Sequence, residues 1–224
     1  PVGADQCNMT RHMQSDNSPY YESGVKVIYI TPNKKWLWSA LLLNGWQRIQ
    51  RVHGNQTPAF GHQVTYSPNN RVTFNSSSFI GNDKPDSIRQ MRYFHNLFGK
   101  FKLTQDLELF VGFDIGAEQV SKGSDRYNAW YSPILVLRYG FCGGYFVSAR
   151  GEYYSDKRNV IVQGPPQGFQ TWSWSVNADK WMVANKVVAR VEARGYSGNR
   201  GTFNKNGRPT SSNVFFGSSL SIKF

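Results

Sequence analysis

The chain is poor in cysteine, in long apolar runs, in helical periodicity and in acidic residues. Two cysteines, Cys7 and Cys142, in 224 residues cannot build a disulfide framework or a four-ligand metal site. The longest aliphatic stretches, Ala40–Leu43 and Ile134–Leu137, fall far short of the roughly 20 apolar residues a membrane helix requires. Asp and Glu number 14 against 26 Lys and Arg, a net charge of +12, so an anionic partner is favoured over a cationic one. No basic or apolar leader opens the chain at Pro1–Gln6, and no signal peptide is read there. His12, His53, His62 and His95 have no ligand spacing, and neither a phosphate loop nor a dinucleotide fingerprint occurs. The serines are too many to pick out a nucleophile and its base. No catalytic residue, metal site or cofactor is expected, and without a recognition helix or RNP-type motif no nucleic-acid partner either.

What the chain has is aromatics, 15% of its residues, and a nearly continuous alternation of apolar and polar side chains. From Leu107 to Glu118 the odd positions read Leu, Leu, Val, Phe, Ile, Ala and the even ones Glu, Phe, Gly, Asp, Gly, Glu. A strand sends successive side chains to opposite faces, so this stretch has one apolar and one wet face. Val187, Ala189, Val191 and Ala193 oppose Lys186, Arg190, Glu192 and Arg194 in the same way. The template gives eleven strands, near 22–31, 36–49, 59–67, 71–81, 89–103, 107–120, 127–141, 145–155, 169–179, 186–196 and 213–224. Pro133 costs the seventh strand a ladder hydrogen bond, which predicts a bulge or a strand start there.

The connections alternate between tight turns, such as Pro32–Lys34 and Cys142–Gly144, and long polar loops, such as 156–168 and 197–212. Long strands with short turns at one end and long loops at the other describe an all-β, antiparallel, up-and-down transmembrane barrel. Trp and Tyr near strand ends suit interfacial belts. The polar face then lines a watered lumen. By parity that lumen receives Arg138, Arg150, Arg190 and Arg194 with Asp114, Glu152 and Glu192, and such charges set ion preference. They equally suit salt-bridge ladders bracing the wall. Asp83 and Asp86, too few oxygens for calcium, read as a solvated outer turn. Residues 1–21 are assigned to an outer loop and 22–224 to the barrel strands, placing Cys7 and Cys142 at opposite ends and unpaired. Two alternatives stay open. One is a surface or secreted all-β carbohydrate-binding module using Trp36, Trp46, Trp172 and Trp174 as stacking platforms. The other is an outer-membrane enzyme acting on lipid.

The C-terminus carries Gly217, Leu220, Ile222 and a terminal Phe224, a spacing that resembles the signal by which outer-membrane barrels are recognised by their assembly machinery. Asp16–Lys26 and Ala40–Ile49 resemble the beta-barrel porin family called OmpL-like, as do Phe79–Asp86 and Ala149–Asp156. The resemblance runs from about Asn17 to the end. It implies a Gram-negative outer-membrane diffusion pore for small polar solutes, without catalytic residues or cofactor. The weak anion preference is read from the basic lumen. Implied partners are outer-membrane lipid, the barrel assembly machinery, small polar or anionic solutes, and further copies in a homo-oligomer or larger complex. Family members are longer, with a signal peptide and strands upstream of the Asn-Ser-Pro-Tyr-Tyr segment, so this chain is expected to be the C-terminal part of a longer one.

Overall fold

The computed structural model describes residues 7–183, 186–199 and 201–223. Its strands are β1 (Gly24–Ile30), β2 (Trp36–Leu43), β3 (Ala59–Asn69), β4 (Val72–Asn82), β5 (Met91–Lys102), β6 (Leu107–Gln119) and β7 (Tyr127–Phe141). They continue with β8 (Tyr145–Asp156), β9 (Phe169–Met182), β10 (Val187–Gly198), β11 (Phe203–Lys205), β12 (Arg208–Thr210) and β13 (Ser212–Ile222). All but β11 and β12 form one 11-stranded sheet in the order β1-β2-β3-β4-β5-β6-β7-β8-β9-β10-β13, every pairing antiparallel and, apart from β10–β13, between sequence neighbours. The short β11–β12 hairpin sits inside the last long loop. The two edge strands, β1 and β13, do not pair with each other, so the sheet is an open, barrel-type wall.

Burial follows the sequence parity. On β10, Val191 is 57% exposed while Arg190 and Glu192 beside it are buried. On β9, Trp172, Trp174 and Val176 are exposed and Ser173, Ser175 and Asn177 are buried. An apolar face turned outward and a polar face turned inward is the arrangement of a wall in lipid. Aromatics gather toward both strand ends on the outer face. Trp36 stacks on Trp38 and Tyr66 near the short turns, and Tyr131, Tyr153 and Trp172 form a row near the long loops.

The expected bulge at Pro133 is absent. β7 keeps one register against β8, from Tyr131↔Ser155 to Ile134↔Glu152, and pairs without interruption against β6 through Phe113↔Pro133. Proline has no N–H to give β8. The Ser132 hydroxyl supplies the missing donor instead, bonding the Tyr153 carbonyl at 2.9 Å.

The interior is not uniformly watered. Toward the long loops, Trp46 packs edge-on against Phe79, Phe94 and Trp130 in a buried cluster with Met13, Leu43, Ala59 and Tyr154. A Cβ on Gly116 would collide with the Trp130 ring, so glycine there lets the indole lie flat on the wall. Trp46, expected as a stacking platform, is an internal packing residue. The acidic pair expected as a solvated turn also holds loops together. Asp83 accepts the Trp46 N–H at 2.9 Å and pairs with Arg92 at 3.0 Å, while Asp86 accepts the Gln56 N–H and the Thr57 hydroxyl.

Candidate functional site

The inward faces of β8, β9 and β10 bring their charges into one buried cluster. Register decides who meets whom: Glu192↔Asn177↔Ser148 and Arg194↔Ser175↔Arg150 lie level across the three strands. Arg150 reaches Glu152 at 3.3 Å and Glu192 at 2.8 Å, and Arg194 pairs with Glu152. Nearer the short turns, Asp179 pairs with Arg190 at 3.1 Å and Arg138 at 3.6 Å. Buried ions cost several kcal/mol each in desolvation and persist only when paired and hydrogen-bonded. Here every one of these carboxylates has a guanidinium partner.

The remaining partners come from the N-terminal segment. Residues 1–21 are expected in an outer loop; of the part of that stretch described, 7–21, the run from Cys7 to Asn17 instead lies along the inner face of the sheet, while Tyr20 and Tyr21 are exposed. Its only regular structure is one helical turn, α1 (Met13–Asp16), so most of its backbone groups need partners from the wall. Glu192 accepts the Thr10 N–H at 2.7 Å and the Thr10 hydroxyl at 2.9 Å. Glu152 accepts the Met13 N–H at 2.7 Å. Arg150 and Arg194 donate to the carbonyls of Thr10 and Arg11. Further along the wall, Asp114 accepts both Gln14 at 2.7 Å and Asn96 at 2.5 Å. A Cβ on Gly217 of β13 would clash with Met9. One irregular segment touching β6, β8, β9, β10 and β13 requires the wall to curl around it.

Asn177 bonds the Cys7 carbonyl at 3.4 Å, which puts Cys7 toward the short-turn end that Cys142 also occupies. Both thiols are free, as expected, but not because they lie at opposite ends.

Between the segment and the inward faces of the earlier strands lies a cavity of about 730 Å³. Its lining carries Lys26, Arg71, Lys100, Lys102 and Arg138 against two acids, Glu22 and Glu108. Of these, Lys102 and Glu108 stand 4.0 Å apart and half-exposed. Thus of the seven lumen residues expected to set ion preference, Arg138 faces this space. Arg150, Glu152, Arg190, Glu192 and Arg194 are shut inside the charge cluster, and Asp114 lies under Gln14. Sequence parity placed all seven inward; it did not separate the open cations Lys26, Lys100 and Lys102 from the enclosed ones, and Arg71, read at the start of the fourth strand, lies in the turn before β4. At the C-terminus Leu220 and Ile222 are exposed on the outer face and Gly217 faces in; Phe224 lies outside the described residues.

A family model described as "Putative beta-barrel porin-2, OmpL-like" matches residues 1–224. No curated protein matches the chain. Among solved structures, the anion-selective porin from Comamonas acidovorans superposes with a TM-score of 0.61 at 8% sequence identity, over 93% of this chain and 61% of that one. At that identity the likeness is one of fold. The chain spans about 61% of that porin's length.

Proposed function

We propose, from the premise that this chain belongs to the OmpL-like beta-barrel porin family, that it forms part of the wall of an outer-membrane diffusion channel for small polar solutes, with a modest preference for anions. The observation that carries the preference is the cavity's unequal lining, five cations against two acids. Fixed charge around a water-filled path concentrates ions of the opposite sign within a Debye length of about 8 Å at physiological salt. The anion-selective character of the porin that shares the fold supports the same direction.

In this reading the ion path runs past Lys26, Lys100 and Arg138, and the segment from Cys7 to Asn17 narrows it from the other side. Arg150, Arg190 and Arg194 act as braces of the wall and the segment rather than as ion contacts. Outer-membrane lipid meets the apolar face, and Leu220, Ile222 and Phe224 present the assembly signal. The short turns then lie on the periplasmic side. The chain works as a channel and not as an enzyme.

The test is a planar bilayer holding the full-length protein under a KCl gradient. A reversal potential on the anion side is expected. Lys26→Glu with Lys100→Glu should move it toward cations, and further at low salt. Conductance whose selectivity ignores both changes would separate the cavity from the ion path; no conductance at all would overturn the channel.

A further inference from the structure

A path for water and inorganic ions gains nothing from aromatic rings on its inner surface, yet the cavity beside the segment carries them. Parity and register put Phe98 of β5 and Phe110 of β6 on the inward face, with Lys100 level with Phe110 across the ladder. The centroids of the two phenyl rings are 5.6 Å apart. The His12 imidazole, from the segment, stacks on Phe110 at 5.9 Å and 9°. All three rings line the cavity, and both phenyl rings are half-buried rather than packed away. Together they form a shelf. Apolar surface facing water is unfavourable, so the shelf is best satisfied when something flat and apolar covers it.

Positive charge borders the shelf on the side of the short turns. The Lys100 ammonium lies 5.7 Å from the Phe98 ring centroid and has no ion pair among the described residues. Lys102↔Glu108↔Arg138 form the next inward row, in which Glu108 stands 4.0 Å from Lys102. Arg138 shares Asp179 with Arg190, which sits closer, at 3.1 against 3.6 Å. The buried Nε of Arg138 has no hydrogen-bond partner among the described residues. Lys100 therefore has its whole charge to offer, and Arg138 part of its own. Cavities of about 300–1,000 Å³ with mostly apolar and aromatic walls and a few placed polar groups are what small organic ligands occupy. At about 730 Å³ this cavity has the size, the rings and the charge. Chloride can use only the cations, and a neutral ring only the shelf. An anion with an aromatic body uses both.

We propose that this cavity binds small aromatic carboxylates, the ring lying against Phe98, Phe110 and His12 and the carboxylate meeting Lys100, with the Arg138 charge beyond it. This names a solute class for the channel and rests on the cavity lying in the ion path. The test is chloride current through the full-length protein in a planar bilayer, with benzoate, acetate or benzyl alcohol added at equal concentrations. Benzoate should block at lower concentration than acetate, which has the charge without the ring. It should also block better than benzyl alcohol, which has the ring without the charge. That contrast needs no variant, so it decides the matter even if a variant fails to fold. Phe98→Leu and Phe110→Leu should each raise the benzoate concentration for half-block roughly 2- to 10-fold, the worth of one aromatic contact. Both should narrow the gap between benzoate and acetate. Phe113→Leu, on the exposed outward face of β6, should leave that gap as it is. Lys100→Gln should weaken block by benzoate and acetate alike. Benzoate no better than acetate, in protein that conducts and prefers anions, overturns the site and leaves the channel standing. A gap that survives both inward changes, or narrows equally in Phe113→Leu, does the same. Protein without conductance overturns the channel, and the site with it.

Discussion

Glu152 answers to three neighbours at once: Arg150 beside it, Arg194 across β9, and the Met13 backbone of the inner segment. Its side chain is wholly buried, so Glu152→Ala leaves two guanidinium groups short of a counter-ion where water cannot easily replace it. Removing one partner of a buried pair costs about 3–5 kcal/mol, and that loss is expected in urea titrations of the protein refolded into bilayers. Glu108→Ala is the contrast. Its one ion pair among the described residues is 4.0 Å long and half-exposed, a class worth about 0–1 kcal/mol. Similar losses at the two sites would mean the cluster is hydrated.

Asp86 makes a residue-level prediction in the outer loops. Hydrogen bonds from the Gln56 N–H, foremost, and from the Thr57 hydroxyl hold its carboxyl below the ordinary aspartate range. A depressed folded value means the clasp is complete above the unfolded aspartate pKa of about 3.9 and is lost as pH falls through the folded value. Asp83 runs the other way, its pKa raised by burial against the pull of Arg92, so acid relieves a buried charge there. Protection of the Gln56 amide, its exchange relative to the intrinsic rate at each pH, should therefore fall on acidification below about pH 4. In Asp86→Asn that protection should be low already at neutral pH. Protection at Gln56 that stays constant across that range would detach the loop from this carboxylate.

At the scale of elements, Ser132 and Pro133 show one defect and its remedy within a single strand. The hydroxyl standing in for proline's missing N–H covers a carbonyl that would otherwise be bare, and an unsatisfied buried acceptor costs about 1–3 kcal/mol. Ser132→Ala should lose that much stability in bilayers, and Ser132→Ala with Pro133→Ala should recover part of it, because alanine restores the ladder donor. A double variant no more stable than the single one would deny the hydroxyl this role. The strands themselves were legible because a period of two survives in most of them, and most observed ends fall close to those read from parity; β2, apolar on both faces, is the exception and ends at Leu43 rather than near residue 49. The 131–134 pairing was not, since a bulge and a side-chain substitute leave the same trace in the sequence. Nor was the path of Cys7–Asn17. An irregular segment has no period to say which surface it lies on, and its polar residues suit a lumen as well as an outer loop. Parity likewise sends Lys100 and Arg150 inward alike. What separates them is placement among neighbours: Arg150 stands one inward row from Glu152 on its own strand and from Glu192 on β10, and pairs with both, while Lys100 lies beside Phe98.

For the whole molecule, the two halves of the wall do different work. β8–β10 spend their inward charges on each other and on the segment, so that side of the interior is closed. β1–β6 keep Arg92 and Glu118 paired with each other and Asp114 under Gln14 but leave Lys26, Lys100, Lys102 and Glu108 facing a cavity, so the conducting path lies on that side and its width depends on where the segment rests. Replacing residues 8–14 with an equal length of Gly and Ser removes the Asn8, Thr10 and Gln14 side-chain contacts and the helical turn while keeping the chain connected. Arg150, Glu152, Glu192 and Arg194 still pair with one another, now wetted from the lumen, and the fold should survive with reduced stability. Single-channel conductance in the full-length protein should rise. Anion preference should fall, because a wider path places more of its cross-section beyond a Debye length of about 8 Å from the cavity cations. The two readouts have different consequences. Unchanged conductance would place the segment outside the ion path altogether. Raised conductance with unchanged selectivity would confirm the segment as a constriction but move the selective charges away from the cavity it borders.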